Sequence, residues 1–144
     1  MSKTYNLFIS HSWSYSDVYE NLIKLLKNKD YFSFRDYSVP KDDPIHTTGT
    51  DKALYEAIKR QMKPCHVVLI AGGVYSSYSK WIDKEIKIAK EGFSYPKPII
   101  AINPRGQKNM STIVSGNADE IVNWNTELIV NAVRKLSKNK IFFL

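Results

Sequence analysis

The sequence predicts an α/β protein with a flavodoxin-like three-layer fold: a central five-stranded parallel sheet, strand order 2-1-3-4-5, between layers of helices. Three observations predict it. Short apolar runs alternate with stretches of helical periodicity along the chain, the pattern of strand–helix–strand units with right-handed crossovers. The run Cys65 to Ala71 (CHVVLIA) is apolar on both faces, as a central strand covered by helices on both sides must be. Polar or glycine-bearing stretches follow the apolar runs: Ser10-His11-Ser12, Asp36 with a long loop, and Gly72-Gly73. In open sheets of this order, ligands lie outside the carboxyl ends of the strands, near the switch between the first and third. All three stretches are therefore expected at one edge.

The elements follow in order. Tyr5 to Ser10 reads as a buried first strand with Leu7 and Ile9 on one face and Phe8 on the other. Ser14 or Ser16 is placed to cap the next helix, roughly Asp17 to Lys27, where Val18, Leu22, Leu25 and Leu26 recur at helical spacing. Tyr31 to Asp36 alternates aromatic and polar residues, giving a second strand. The loop from Tyr37 to Gly49 is long for a strand-to-helix connection, and such length is more often functional than structural. Thr50 or Asp51 opens a helix whose stripe is Leu54, Ile58 and Met62, and Pro64 ends it. After the central strand, Ser76, Ser77 or Ser79 caps a helix that Gly92 closes. Lys97 to Asn103 is a fourth strand. Arg105 to Gly116 shows no periodicity and reads as loop. A weak strand near Asp119 to Val122 precedes a last helix from about Asn125 to Lys138, with Leu128, Ile129, Ala132, Val133 and Leu136 inward.

Composition narrows the class. At 144 residues the chain is expected to be a single domain, 1–144, and its 43% hydrophobic and 24% charged content is that of an ordinary globular protein. No apolar run is long enough to span a bilayer, and the first residues lack the features of a signal peptide, so no membrane association is expected. Cys65 is the only cysteine, which excludes an intrachain disulfide and a cysteine metal cluster and points to the cytoplasm. The net charge, 21 − 14 = +7, raises the question of nucleic acid. The basic residues are nevertheless spread along helical faces. The densest group, Arg134, Lys135, Lys138 and Lys140, reads as the solvated face of the last helix, so no nucleic-acid partner is expected.

One residue breaks the pattern. In Tyr78 to Glu91 (YSKWIDKEIKIAKE), the residues Tyr78, Trp81, Ile82, Ile86, Ile88 and Ala89 share one arc at about 100° per residue. Glu85 lies inside that arc, between Trp81 and Ala89. A carboxylate there must lose hydration, find a partner or line a pocket. The ordinary structural reading is a glutamate at the rim of the stripe, paired with a lysine or reaching water.

Several chemistries are absent. There is no phosphate-loop or dinucleotide fingerprint, and His11, His46 and His66 show no metal-ligand spacing, so no metal site is expected. Ser10 or Ser12 beside His11 makes a poor hydrolase dyad, because neighbours on an extended segment point opposite ways and no nucleophile elbow is present. Cys65 and His66, at a strand start, read as packed or satisfied. One carboxylate beside an aromatic ring does suit cleavage of a glycosidic bond with a good leaving group. Nicotinamide leaving NAD+ carries its own positive charge and needs no acid, so a single carboxylate can hold the ribose and stabilise the developing cation. Spacing alone does not separate this from a structural glutamate.

LFISHS, FSFRDYSVPKD, VVLIAGGVYSSY and the W-x-x-x-E of WIDKE resemble TIR domains in order and spacing, over roughly Tyr5 to Asn103. More narrowly, the chain resembles the TIR-like subunit of the Thoeris anti-phage defence system. TIR domains include NAD+-cleaving enzymes and catalytically silent interaction adaptors, and the fold does not choose between them. In the enzymatic branch the resemblance puts the catalytic glutamate on Glu85 and its aromatic neighbour on Trp81. It puts substrate-binding residues at Ser10, His11, Ser12, Phe34, Asp36 and Tyr37. Several enzymatic members carry Arg just after the first strand; this chain has Ser12 and Trp13, so Arg35, Lys41 or backbone amides would have to hold the diphosphate. Asp42-Asp43 would repel it if turned inward. The Thoeris resemblance implies conversion of NAD+, as substrate and with no further cofactor, into a cyclic ADP-ribose isomer. That messenger would activate a separate effector with a sirtuin-like, NAD+-consuming domain. Tyr75, Tyr78 and Phe34 are candidates for excluding water during cyclisation. Self-association, frequent among TIR enzymes, is a further expectation with no interface assigned.

Overall fold

The computed structural model describes residues 3–14, 18–38, 50–72, 79–103 and 111–139, without the side chains of residues 11, 14, 79, 80, 138 and 139. Five strands, β1 (Thr4–Ile9), β2 (Ser33–Tyr37), β3 (Val67–Ala71), β4 (Ile99–Ile102) and β5 (Glu120–Val122), form one sheet in which every neighbouring pair is parallel. The order is β2-β1-β3-β4-β5, as the alternation of elements predicts. All five residues of β3 and all four of β4 are buried, which accounts for their continuous apolar sequences.

The helices are α1 (Val18–Lys27), α2 (Asp51–Met62), α3 (Ser79–Glu91), α4 (Thr112–Asn117) and α5 (Thr126–Asn139). A four-residue 3-10 turn, His11–Ser14, joins β1 to the segment before α1. Two apolar cores lie on opposite faces of the sheet. One packs Leu7, Ile9, Leu69 and Ile100 against Leu22 and Leu26 of α1 and Ile129 and Val133 of α5. The other packs Phe8, Val68 and Ile70 against Ile58 of α2, Ile82, Ile86 and Ile88 of α3, and Val114 of α4. The split of Leu7 and Ile9 from Phe8 is the alternation read in the sequence. Each fully buried Leu or Ile contributes about 1.5–3 kcal/mol through lost water contact.

Local signals set most boundaries. The Thr50 hydroxyl accepts from the Ala53 amide at 3.1 Å and caps α2. At the end of α3 the Gly92 amide donates to Ile88 O at 2.8 Å, and a Cβ on Gly92 would sit 2.7 Å from that same oxygen. Only glycine fits so close to the helix backbone.

β3 and β4 start two residues later than expected, at Val67 and Ile99, and three further features differ from expectation. β2 starts at Ser33, not Tyr31, because Tyr31 adopts φ 61°, a left-handed conformation rare for a bulky residue, and is 92% exposed. The stretch read as loop after Arg105 contains α4, a six-residue helix that buries only Val114 and so carries too little apolar pattern to be recognised. Residues 11–14 are a 3-10 turn, not an extended segment, so Ser10 and Ser12 both turn inward. The segments that contain Asp17, Lys41, Asp42-Asp43, His46, Tyr75, Tyr78, the Ser76 and Ser77 caps and Lys140 lie outside the described residues. Of the basic group on α5, Lys135 pairs with Glu120 at 2.5 Å and Arg134 donates to Tyr31 O while lying 5.7 Å from the Phe32 ring centroid. No described helix is long and apolar enough to cross a membrane, and no group of three metal-capable side chains occurs among the described residues.

Candidate active site

β1 and β3 are neighbours with crossovers leaving in opposite directions, which makes the gap at their carboxyl ends the switch point of the sheet. The chain leaving β1 is clamped to β3 there. The Ser10 amide donates to Leu69 O at 3.0 Å, the Trp13 indole Nε1–H donates to the same oxygen at 3.0 Å, and the Ala71 amide donates to Ser12 Oγ at 2.8 Å. Ser12 and Trp13 are fully buried, with the Trp13 ring 6.2 Å from Trp124.

Glu85 reaches this point from α3. It is 1% exposed, on the buried stripe formed by Trp81, Ile82, Ile86, Ile88 and Ala89. The rim position of an ordinary helical glutamate is therefore excluded. Ser10, itself 2% exposed, donates its hydroxyl hydrogen to Glu85 Oε1 at 2.6 Å. That distance falls within the range for a hydroxyl bound to a carboxylate. The Ser12 amide in turn donates to Ser10 Oγ at 3.0 Å. A directed chain thus runs from the Ser12 amide through the Ser10 hydroxyl to the Glu85 carboxylate. Chemically, it holds a carboxyl oxygen at the ligand edge of the sheet in surroundings of low polarity, where a negative charge would act strongly on a nearby cation.

The other expected site residues divide between the two faces. Trp81, 8% exposed, lies one helical turn before Glu85 in the same apolar core, and Tyr37 packs against that core. Phe34 and Asp36 do not join them. Alternation along β2 turns both toward α1, where Phe34 packs against the opposite core and Asp36 accepts a hydrogen bond from the Tyr19 hydroxyl. Burial, and then the Asp36 carboxylate, push the Tyr19 phenol above its ordinary pKa. Together with Ile23, Lys27, Phe32 and Ser33, these residues line a cleft of about 370 Å³ on the α1 side of β2. Glu85 is not among its walls. The His11 side chain lies outside the described set.

Ser12 and Trp13, at the positions where several enzymatic TIR domains carry arginine, are fixed in the interior and engaged with β3. Arg35 is exposed on β2. Cys65 and His66 are structural, as expected: Cys65 Sγ donates to Gln61 O at 3.4 Å, and His66 Nδ1 accepts from the Asn6 amide at 2.9 Å. The interior anchoring of Trp13 and the hydroxyl bond to Glu85 were not foreseen. The available signals were an indole next to a strand end, needing a buried acceptor, and a buried carboxylate needing a donor.

The model for the family described as Thoeris protein ThsB, TIR-like domain, matches residues 8–109, well over half of the 144 residues. That span contains the last two residues of β1, all of β2, β3 and β4, α3 and the Ser10–Glu85 pair. No curated protein matches the chain.

Proposed function

The chain belongs to the TIR-like domain family of Thoeris protein ThsB, an anti-phage defence family, and from that premise we propose that it cleaves NAD+ with Glu85 as the catalytic carboxylate. The supporting observation is the place of Glu85: buried, at the switch point, and hydrogen-bonded to the residue that follows β1. The bond between ribose C1′ and the nicotinamide nitrogen breaks, and its electron pair leaves with the ring and neutralises the pyridinium. Positive charge develops on the ribose, where the carboxylate stabilises it. The leaving group needs neither a general acid nor a metal.

A hydroxyl of the same ADP-ribose then attacks C1′ and loses its proton, closing a cyclic ADP-ribose isomer in place of hydrolysis. The product acts as the messenger to a separate sirtuin-like effector that depletes NAD+. Trp81 and Tyr37, on the Glu85 face, are the aromatic residues best placed to shield the cation from water.

The test is incubation of the protein with NAD+, alone and with lysate from phage-infected cells, with nicotinamide and cyclic product followed by mass spectrometry. Both products are expected from the wild type and neither from Glu85→Gln. Equal product from the variant would transfer the reaction to another residue. A folded wild type that forms no product in either condition would favour a catalytically silent interaction domain.

A further inference from the structure

We infer that Ser10 is a positioning residue for Glu85 and not a ligand of the substrate. The inference rests on the proposed NAD+ cleavage and assigns Ser10 a different part from the substrate contact that the family resemblance implies. Burial is shared with Glu85 and does not separate the two roles; two other observations on Ser10 carry the inference. The single hydroxyl proton of Ser10 is committed to Glu85 Oε1 at 2.6 Å, while its oxygen accepts the Ser12 amide at 3.0 Å. Its backbone is tied to the sheet, with the Ser10 amide on Leu69 O and the Ser10 carbonyl accepting the Trp13 amide, both at 3.0 Å.

The consequence is mechanical. A glutamate side chain has three torsions between backbone and carboxylate, and each must be fixed for its oxygens to hold one position. Ser10 Oγ is a point fixed by β1, β3 and the 3-10 turn, and the short hydrogen bond transfers that fixity to Oε1. Helix α3 supplies the charge; the sheet supplies its coordinates. An error of about 1 Å in a catalytic group is worth up to roughly 100-fold in rate, so the bond is expected to act on turnover and not on substrate affinity.

The experiment compares wild type, Ser10→Ala and Ser10→Cys for nicotinamide release, with kcat and KM for NAD+ measured separately in the activating lysate. NAD+ affinity is measured by calorimetry for Glu85→Gln and for Ser10→Ala/Glu85→Gln, where no turnover intervenes. Ser10→Ala is expected to lower kcat roughly 10- to 100-fold while KM stays within about twofold. Ser10→Cys, a weak donor of similar size, is expected to fall between the two. The calorimetric affinities of the single and double variants are expected to agree. Unchanged kcat in Ser10→Ala, or several-fold weaker NAD+ binding in the double variant, would overturn the positioning role and leave the cleavage reading intact. A wild type without nicotinamide release would remove the cleavage reading and this inference with it. If circular dichroism finds Ser10→Ala unfolded, the kcat and KM of Ser10→Cys decide by the same criteria.

Discussion

Ser10 and Glu85 stand 75 positions apart in the chain and 2.6 Å apart in space, the hydroxyl of the first donating to the carboxylate of the second. The contact joins the residue after the first strand to the second turn of α3. It gives the Glu85 carboxyl a hydrogen-bond partner on a helical face otherwise occupied by Trp81, Ile82, Ile86 and Ala89.

Replacing Glu85 by Gln keeps the length of the side chain and an oxygen able to accept the Ser10 proton, but removes the charge. Nicotinamide release is expected to fall by on the order of 10²–10³-fold or more, with the far-ultraviolet dichroism spectrum unchanged. Chromatography of nicotinamide against a protein-free blank is the check.

Ser12 has a structural task. Its hydroxyl is the acceptor for the buried Ala71 amide at the end of β3. Ser12→Ala leaves that amide without its acceptor, and urea denaturation is expected to show a loss of about 1–3 kcal/mol.

Gly92→Ala brings a methyl group to within 2.7 Å of Ile88 O at the end of α3. The crowding is expected to cost about 1–3 kcal/mol in the same measurement. By contrast Gly116→Ala, whose added Cβ would meet nothing within 4 Å, is expected to leave stability near wild type. Equal effects of the two substitutions would refute the account of how α3 ends.

The Tyr19–Asp36 pair gives stability a dependence on alkaline pH. The folded-state pKa of Tyr19 is raised, by burial first and by Asp36 second. Between its unfolded and folded values the native state therefore holds a proton that the unfolded state has released, and stability falls as pH rises. The contribution is complete below the ordinary phenol value of about 10 and is lost progressively above it. Tyr19→Phe is expected to be less stable than wild type at neutral pH, with the difference shrinking above about pH 10. Thermal midpoints measured for both proteins across that range test it.

The strand order and the anomaly at Glu85 were legible because both are written in local periodicity. β3 is apolar at every position, which is the pattern of a central parallel strand. Glu85 interrupts a helical stripe that is complete without it, and burial of that stripe carries the carboxylate inside. The place of Ser10 at the switch point followed from strand order. The start of β2 was not legible, because nothing in the residue type announces a tyrosine at φ 61°. Helix α4 was missed for want of length.

The division of the expected site between two faces shows where sequence stops and tertiary structure begins. Alternation along β2 fixes that Phe34 and Asp36 share a side and that Tyr37 has the other. Which side meets α3 is decided by the register of β2 on β1 and by the hand of the crossovers, and these put Tyr37 with Glu85 and Asp36 with Tyr19. Sequence by itself determined most of the residues that go inside, because apolar burial follows from each side chain and its spacing; Leu128, expected inward on the last helix, is 45% exposed. Only the folded sheet decided that the buried carboxylate would meet Ser10. Directional contact between groups 75 residues apart depends on the summed geometry of everything packed between them.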